Sequence, residues 1–407
     1  IYNPLSVYVE KYALLSERQF GFRRNSSTEL ALLAQKEILL KNIENKRLTL
    51  GVFLDFSKAF DSISHNVLLE KLTYYGIRGS ALSLIESYLG SRKQKVVIDG
   101  FSSSLNNVVC GVPQGSLLGP LLFSLYINDI PLLSNEVDFI IYADDTSLFF
   151  SGSVPDIIIQ NATRVLQEVN TWAKDNHLKI NAKKTKAVFF RARNKRIETS
   201  LQLIISNSVV DIVDSVRTLG VVFTSTLTWS LQINDIHSKA SRIFGFLYRY
   251  RTHMTKTAVM LLYYALIYSY FNYCFLVWGT ATKSELLKLI TLQKKFLRII
   301  EFLPYNHTTA GLFKKHGLIQ LDNLFRYKLL SWYQMASRKS LSNILRMFEL
   351  ERTNPQYGYR NQRQWSTPRC RTTYGEQRLT YLLPHILNDF PTDPLTVSRK
   401  AIYRLCI

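Results

Sequence analysis

Apolar and polar positions follow two different rhythms in this chain, and the change comes near residue 233. Before it, short apolar runs bounded by polar turns predict strands, at 48–54, on both sides of residues 144–145, at 187–191 and near 201–205 and 216–223. After it, apolar residues recur with helical spacing, which predicts helices over roughly 233–251, 257–277, 283–300 and 320–337. The pattern therefore predicts an α+β chain whose sheet comes first and whose second half is helical.

Helices also separate the strands of the first part. The spacing of apolar residues and the capping residues predict them at 28–40, 67–75, 80–89, from the end of the turn 110–120 to about 130, and at 155–176. A hairpin is expected around Asp99-Gly100, with strands at 95–98 and 107–109. From about Thr353 the sequence is rich in Arg, Tyr, Pro and Asn, which indicates a loosely ordered basic tail. We therefore expect three regions, at 1–232, 233–352 and 353–407.

A pair of acidic residues, Asp144-Asp145, lies between two apolar, β-prone runs. This pattern predicts a tight hairpin with carboxylates at its tip. Neighbouring carboxylates beside a buried sheet need positive compensation, and a divalent cation with oxygen ligands supplies it. Asp55 directly follows the predicted strand 48–54; it is either a further ligand at a strand end or a helix cap. Three such carboxylates could hold two Mg²⁺ ions for phosphoryl transfer.

Composition narrows the class of partner. The formal net charge of +21 predicts a polyanionic partner, either nucleic acid or an anionic membrane surface. The four cysteines lie far apart with no C-x-x-C spacing, which argues against a disulfide framework or zinc knuckle and favours a reducing compartment. Segment 257–282 is uncharged and long enough to span a membrane, but its tyrosines lie mid-segment. We therefore expect a buried helix and no membrane partner.

Two further features fit a nucleic-acid enzyme. Residues 110–120 form a glycine-rich turn that is not a P-loop, in which Gln114 could touch a base or sugar. A glycine-rich turn between acids in so basic a chain suggests a polymerase palm.

The basic residues of 283–300 form either a solvated helix face or a phosphate contact. The basic run 191–196 is an import signal, a phosphate patch or a plain solvated loop.

Four segments together resemble the reverse transcriptases of non-LTR (LINE-type) retrotransposons. They are QFGFR (19–23), LDFSKAFDSI (54–63), GVPQGSLLGP (111–120) and YADD (142–145). NAKKT (181–185) and RTLGV (217–221) resemble the next motifs, and a weaker likeness extends to RTTYGE (371–376). The resemblance implies a right-hand polymerase fold with fingers, an antiparallel palm sheet and a helical thumb.

The resemblance also assigns roles to individual residues. It implies that Asp55, Asp144 and Asp145 bind Mg²⁺ or Mn²⁺ and are catalytic, and that Phe60 excludes the ribose 2′-hydroxyl. Lys184 is the candidate general acid for pyrophosphate departure, although it could be an ordinary strand-edge lysine. The remaining nucleotide-binding residues would be Arg23, Phe56, Gln114, Gly115 and Tyr142, and the primer grip would include Leu219 and Gly220.

The activity so implied is RNA-directed DNA synthesis from a primer 3′-hydroxyl, with an RNA template, a DNA primer or target and deoxynucleoside triphosphates. A catalytically inactive, nucleic-acid-binding relic is the alternative, and an RNA polymerase or splicing maturase is disfavoured by Phe60. The first residue is Ile, so we expect an N-terminally truncated fragment. The resemblance implies an endonuclease upstream in the full-length protein. The family implies a ribonucleoprotein in nucleus and cytoplasm.

Overall fold

The structure is a computed structural model that describes residues 1–353 and 364–407. The chain divides into two units. The first comprises residues 1–31, 48–189 and 194–214, and the second comprises residues 32–47, 190–193 and 215–407. Numbered along the chain, the strands of the described residues are β1 (Leu48–Leu54), β2 (Lys93–Gln94), β3 (Val97–Ile98), β4 (Phe101–Ser102), β5 (Asn106–Asn107), β6 (Asp138–Tyr142), β7 (Asp145–Gly152), β8 (Lys186–Phe190), β9 (Ile204–Ile205), β10 (Ser208–Val209), β11 (Asp211–Ile212), β12 (Ser215–Thr218) and β13 (Val221–Thr224).

A five-stranded sheet in the order β11-β8-β1-β7-β6 is the centre of the first unit. Strand β7 runs antiparallel to both β1 and β6, and all but one residue of β1 are buried. The described helices of this part are α1 (Tyr2–Lys11), α2 (Thr28–Glu44), which continues into the second unit, α3 (His65–Tyr74), α4 (Ser80–Leu89), α5 (Leu118–Tyr126) and α6 (Pro155–Asp175). Helix α6 packs on β1 and β7 through apolar residues at helical spacing, among them Ile158, Ala162, Val165 and Val169.

The strands and helices predicted for this part are confirmed within a few residues, with one exception. The turn at Asp99-Gly100 is present, but the return strand is β4, which pairs with β3. The predicted return strand at 107–109 is wrong, because β5 pairs instead with β2 outside that turn. Both pairs are short and exposed, so no buried face fixes their register in the sequence pattern.

The second unit is mainly helical. Its helices within the described residues are α7 (Ser230–Tyr250), α8 (Lys256–Leu262), α9 (Ser269–Asn272), α10 (Phe275–Trp278), α11 (Lys283–Ile300), α12 (Leu312–Lys315), α13 (Leu321–Arg338), α14 (Ser342–Phe348), α15 (Leu379–Asp389) and α16 (Arg399–Cys406). Helices α7 and α11 pack against each other. Strands β12 and β13 form an antiparallel hairpin. The single strand predicted near 216–223 is therefore wrong, because the chain turns back at Leu219-Gly220, where both residues have positive φ. The α+β class is thus confirmed, with the palm sheet and thumb helices of the right-hand polymerase fold. The sheet is antiparallel around β7 as predicted, whereas its edge pair β11–β8 is parallel.

The single helix predicted over 257–277 is wrong. Helix α8 passes into a π-helix at Tyr263–Tyr268, then α9, and the helix is broken before α10 by Cys274 with φ 48°. The π-helix brings Tyr263 into the core, where its ring stacks on Phe296 at a 4.3 Å centroid distance and its hydroxyl accepts from Gln293 at 3.1 Å. Among the described residues, no helix is long and apolar enough to cross a membrane.

The end of the chain is also more ordered than expected. The interpretation of everything after Thr353 as a loosely ordered tail is wrong for α15 and α16, both of which pack on α13; residues 354–363 of that tail lie outside the described residues. The RTTYGE segment binds the last turn of α2. The Arg371 guanidinium donates to the Glu44 carbonyl at 2.6 and 3.0 Å, and Thr372 donates to the Glu44 carboxylate. The domain limits at 232/233 and 352/353 stay predictions.

Candidate active site

The register of β1 and β7 brings the acidic residues to one edge of the sheet. Leu54 lies opposite Thr146, so Asp55, one residue later, and Asp145, one residue earlier, come together at that edge. Tyr142 pairs with Asp145, leaving Ala143 and Asp144 as a two-residue turn. Ala143 has φ 54°, as a primed hairpin turn requires. The turn therefore places Asp144 beside the other two acids.

The three carboxylates interact. Burial, followed by the charges of Asp144 and Asp55, raises the pKa of Asp145 to about 6. Asp145 is nevertheless exposed to solvent, so protein atoms surround its carboxylate on one side only. Like charges held together with a raised pKa are typical of sites that a cation or a substrate completes.

The QFGFR segment supports this hairpin from its free edge. The amide of Phe20 donates to the Ile141 carbonyl at 2.8 Å, and the Ile141 amide donates to the Arg18 main-chain carbonyl at 2.9 Å. Gly21 packs so closely that a Cβ there would lie 2.3 Å from the Ala143 nitrogen. A glycine is therefore required at this position for the main chain to reach the back of the acidic turn.

The loop that contains Lys184 packs beside Asp55. The amide of Asn181 donates to the Asp55 carbonyl at 2.8 Å, and the Asp55 amide donates to the Thr185 hydroxyl at 3.4 Å. The buried Thr185 hydroxyl donates in turn to the Asn181 carbonyl at 2.9 Å. Lys184 is exposed on this loop. Its position next to Asp55 in the fold agrees with a role at the site, which stays a prediction.

Aromatic side chains line the next part of the site. Phe60 is half-buried; its ring stacks on Phe123 at 4.3 Å and meets the edge of Phe22 at 6.3 Å. These contacts fix the ring as a rigid wall, which suits discrimination by shape. Phe56 is only 5% exposed and packs in the core, while Tyr142 is half-buried. The nucleotide-binding roles of these three residues stay predictions.

The glycine-rich turn is bound to the segment that carries Phe60. Gly111, with φ 78°, lies where a Cβ would be 2.7 Å from the Asp61 carbonyl oxygen. The amide of Val112 donates to the Phe60 carbonyl at 3.0 Å, and Gln114 donates to the Asp61 carboxylate at 2.9 Å. Gly115, with φ 82°, has open space around it. Gln114 and Gly115 are thus exposed, next to the aromatic wall.

Arg23 directly follows Phe22, one of the rings of the aromatic wall. Its guanidinium donates to the Ser16 carbonyl at 2.9 Å and is 4.0 Å from the Glu10 carboxylate. It lines, with Phe22, a cavity of about 380 Å³. The predicted contact of Arg23 with a triphosphate would have to compete with these two partners.

In the second unit, Leu219 and Gly220 form the turn of the β12–β13 hairpin. Both have positive φ, 42° and 80°, as a type I′ turn requires. The Tyr273 hydroxyl donates to the Leu219 carbonyl at 2.8 Å, and a Cβ at Gly220 would lie 3.2 Å from the Tyr273 ring. Arg217 at the base of the hairpin is 3.1 Å from Asp235. The predicted primer-grip segment is therefore a rigid hairpin tip.

Asp55, Asp144 and Asp145, which form the acidic edge, carry the type of ligand atom that divalent cations prefer. Among residues 1–353 and 364–407, no three His, Cys, Asp or Glu side chains are arranged to hold a metal ion. Carboxylate oxygens are nevertheless the ligands that Mg²⁺ and Mn²⁺ prefer, and Mg²⁺ is usually held by one or two carboxylates together with substrate phosphates. Burial, and after it the charges of Asp144 and Asp55, raise the pKa of Asp145, and a bound cation would offset both by favouring the charged carboxylate.

Two supporting residues were missed by the sequence reasoning. Thr185 anchors Asp55, and it could have been singled out because it belongs to the NAKKT segment. Tyr273 holds the Leu219-Gly220 turn from 54 residues away, and nothing in the sequence pattern links the two positions.

The chain is similar in sequence to several known proteins. Residues 2–223 match the family described as reverse transcriptase (RNA-dependent DNA polymerase). The Drosophila melanogaster "RNA-directed DNA polymerase from mobile element jockey" is 30% identical over 323 residues, which are 77% of this chain and 35% of that relative. Two further D. melanogaster proteins are similar. The "probable RNA-directed DNA polymerase from transposon BS" is 26% identical over 85% of this chain and 40% of its own length. The "probable RNA-directed DNA polymerase from transposon X-element" is 27% identical over 72% of this chain and 32% of its own length.

The chain thus spans only 35% of the length of the jockey protein and 40% of that of the BS protein. The family match covers more than half of this chain, and it contains the acidic edge, the aromatic wall and the glycine-rich turn. The chain belongs to the reverse transcriptase family.

Proposed function

We propose that this chain is the polymerase part of a non-LTR retrotransposon protein and catalyses RNA-directed DNA synthesis from a primer. The observation that supports it is the acidic edge, where the β1–β7 register and the hairpin turn bring Asp55, Asp144 and Asp145 together. A family match alone would be equally satisfied by a chain whose acids had been lost. An intact edge is what nucleotidyl transfer requires.

The finer steps follow from the residues around that edge. Asp55, Asp144 and Asp145 would hold Mg²⁺ or Mn²⁺ together with the substrate phosphates. The bound metal would activate the primer 3′-hydroxyl and stabilise charge on the transferred phosphoryl group. Phe60, held between Phe123 and Phe22, would close the space that a 2′-hydroxyl needs. Lys184 would protonate the departing pyrophosphate, because it is an exposed cation on the loop bound to Asp55.

Binding of the polymer substrates is assigned to other segments. Gln114 and Gly115 would contact the nucleotide and templating base from the glycine-rich turn, Arg23 would contact the triphosphate, and the Leu219-Gly220 turn would hold the primer end. The net charge of +21 suits an RNA template and a DNA primer or target. The proposal includes an upstream endonuclease in the full-length protein and a ribonucleoprotein found in nucleus and cytoplasm.

Primer extension on an RNA template with deoxynucleoside triphosphates and Mg²⁺ tests this function. Asp144→Asn keeps the shape of the turn residue and removes its charge, whereas Asp99→Asn changes an exposed turn aspartate of the first unit and is the matched control. We expect extension by the parent and the control and none by Asp144→Asn. Full extension by Asp144→Asn would refute the proposal.

The relic hypothesis predicts a different result. A chain that binds the RNA–DNA duplex in a salt-sensitive way but extends no primer, with Mg²⁺ or with Mn²⁺, would support it. The RNA polymerase alternative is tested by offering ribonucleotides. We expect the parent to reject them and Phe60→Val to accept them, because the ring closes the space required; a parent that prefers ribonucleotides would overturn the assignment.

A further inference from the structure

A half-buried arginine of the second unit lies between two exposed aromatic rings. The Arg251 guanidinium is 4.1 Å from the centre of the Tyr248 ring and 5.4 Å from that of Phe302. Tyr248 is 55% and Phe302 51% exposed. The two rings come from different segments, the end of α7 and the turn after α11, so the guanidinium joins these segments at the surface.

A second pair extends this surface. The Arg298 guanidinium lies 5.7 Å from the centre of the Tyr305 ring and donates to the His307 carbonyl at 2.8 Å, which fixes the loop that carries Tyr305. Tyr305 is 80% exposed. We call Tyr248, Arg251, Arg298, Phe302 and Tyr305 the arginine–aromatic surface.

The charge around this surface is positive. In the sequence from 286 to 321 the one acidic residue is Glu301, and from 236 to 284 there is none. Glu301 is surrounded by Lys256, Lys315 and His316, at 3.0, 3.0 and 2.7 Å. Its negative charge is therefore more than balanced, and a polyanion near the arginines would meet no unpaired carboxylate from these segments.

Folding alone does not account for the exposed rings. Exposed cation–π pairs are worth little to stability, and an exposed aromatic ring gains less from the hydrophobic effect than a buried one. Rings that are accessible, rigidly held and interleaved with arginines are instead what proteins use to stack unpaired bases while neutralising phosphates.

We propose that the arginine–aromatic surface binds an unpaired RNA strand by base stacking. The inference rests on the proposed function, since the template is RNA and its uncopied part is single-stranded. A duplex would not use this surface fully, because its base faces are covered by their neighbours, whereas the bases of an unpaired strand can stack on Tyr248, Phe302 and Tyr305. The tyrosine hydroxyls are available to the 2′-hydroxyl, which is the group that distinguishes RNA from DNA.

Fluorescence anisotropy with a labelled oligouridine tests this without metal ions or nucleoside triphosphates, so that a failure of polymerase activity does not affect the result. The variants are Tyr305→Ala and the double change Phe302→Ala with Tyr305→Ala. Tyr74→Ala is the matched control, because Tyr74 is 86% exposed and belongs to the first unit. Arg251→Lys keeps the charge and removes the planar group that stacks.

We expect the dissociation constant for oligouridine to rise roughly fivefold or more for each ring removed, and to rise for Arg251→Lys. The control and the binding of a blunt RNA–DNA duplex should be unchanged. Unchanged oligouridine binding by the double variant would overturn the proposal. If the variants weakened binding of the duplex as much as binding of oligouridine, the surface would bind paired substrate and the proposal would be contradicted. If they weakened binding of an oligodeoxyuridine of the same length equally, the choice of RNA would be overturned.

Discussion

The Tyr273 hydroxyl reaches across 54 residues of sequence to donate a 2.8 Å hydrogen bond to the Leu219 carbonyl oxygen. The turn that it holds has no other ring packed so closely on Gly220 within the described part of the chain. Both turn residues have positive φ, which is unfavourable for Leu219, so the hydrogen bond from Tyr273 helps to stabilise the turn. Tyr273 is thus a positioning residue for the predicted primer grip.

Tyr273→Phe should loosen that turn while keeping the ring. The unfolding free energy should fall by only about 0.5–1 kcal/mol, because the bond is partly exposed to solvent. The KM for the primer–template should rise by more than kcat falls, and amide exchange at 219–221 should quicken. Tyr270→Phe, which leaves its ring over Lys239, is the control. Unchanged exchange at the turn would contradict the positioning role.

Gly21→Ala should destabilise the first unit. The added Cβ would meet main-chain atoms of Ala143 and Tyr142 at 2.3 and 3.0 Å, and main chain cannot move aside as a flexible side chain does. We expect a loss of about 1–3 kcal/mol, measured by denaturant unfolding, together with lost primer extension. Gly245→Ala in α7, where a Cβ meets nothing within 4 Å, should instead stabilise by about 0.5–1 kcal/mol. Equal effects of the two changes would contradict the close packing.

Asp145→Asn should stabilise the metal-free protein at neutral pH. The folded pKa of Asp145 is raised to about 6 from 3.8, so the folded state binds more protons than the unfolded state between these values, and this contribution to stability is lost as pH rises through about 4 to 6. Because the carboxyl faces solvent, the gain from removing its charge should be only about 1 kcal/mol. Thermal unfolding at pH 4 and pH 7 measures it.

Mg²⁺ should reverse that order. It should raise the melting temperature of the parent more than that of Asp145→Asn, because it stabilises the state that holds the charged carboxylate. The same variant should lose primer extension. An Asp145→Asn variant less stable than the parent at pH 7 without metal would show that the three carboxylates do not repel one another.

Lys36 should make the stability of the second unit depend on pH in the alkaline range. Burial lowers the pKa of Lys36 to about 7, although its ammonium donates to the Thr280 hydroxyl at 2.9 Å. The unfolded state therefore binds more protons between about 7 and 10.5, so stability should rise with pH across this window. Lys36→Met should remove the slope, whereas Lys41→Met, an exposed site on the same helix, should keep it. A parent with no slope between pH 7 and 10 would refute the assignment.

Local patterns in the sequence were sufficient for β1, the acidic hairpin and helix α11. The strand at 48–54 and the acidic hairpin could be predicted because uninterrupted apolar runs end at charged residues, and helix 283–300 because its buried positions recur regularly. The acidic edge followed from the same patterns, since strand ends alone bring its members together.

Long-range geometry was not available in this way. The break at Cys274 depends on a backbone conformation that no residue type there requires, so the apolar run around it suggested one continuous helix. In the last helices Leu379, Leu383 and Leu387 are buried at four-residue spacing, but Pro384 and the surrounding polar residues concealed the pattern. The contact of Tyr273 with Leu219 exists only in three dimensions.

The chain passes between its two units at 31/32, 47/48, 189/190, 193/194 and 214/215. Residues 32–47 are synthesised before the rest of their unit, which begins at residue 190. During synthesis this helix must therefore wait for those later residues, with buried residues such as Leu33 and Leu39 uncovered. A cut at any single position between residues 31 and 215 would consequently leave at least one unit without part of its own sequence.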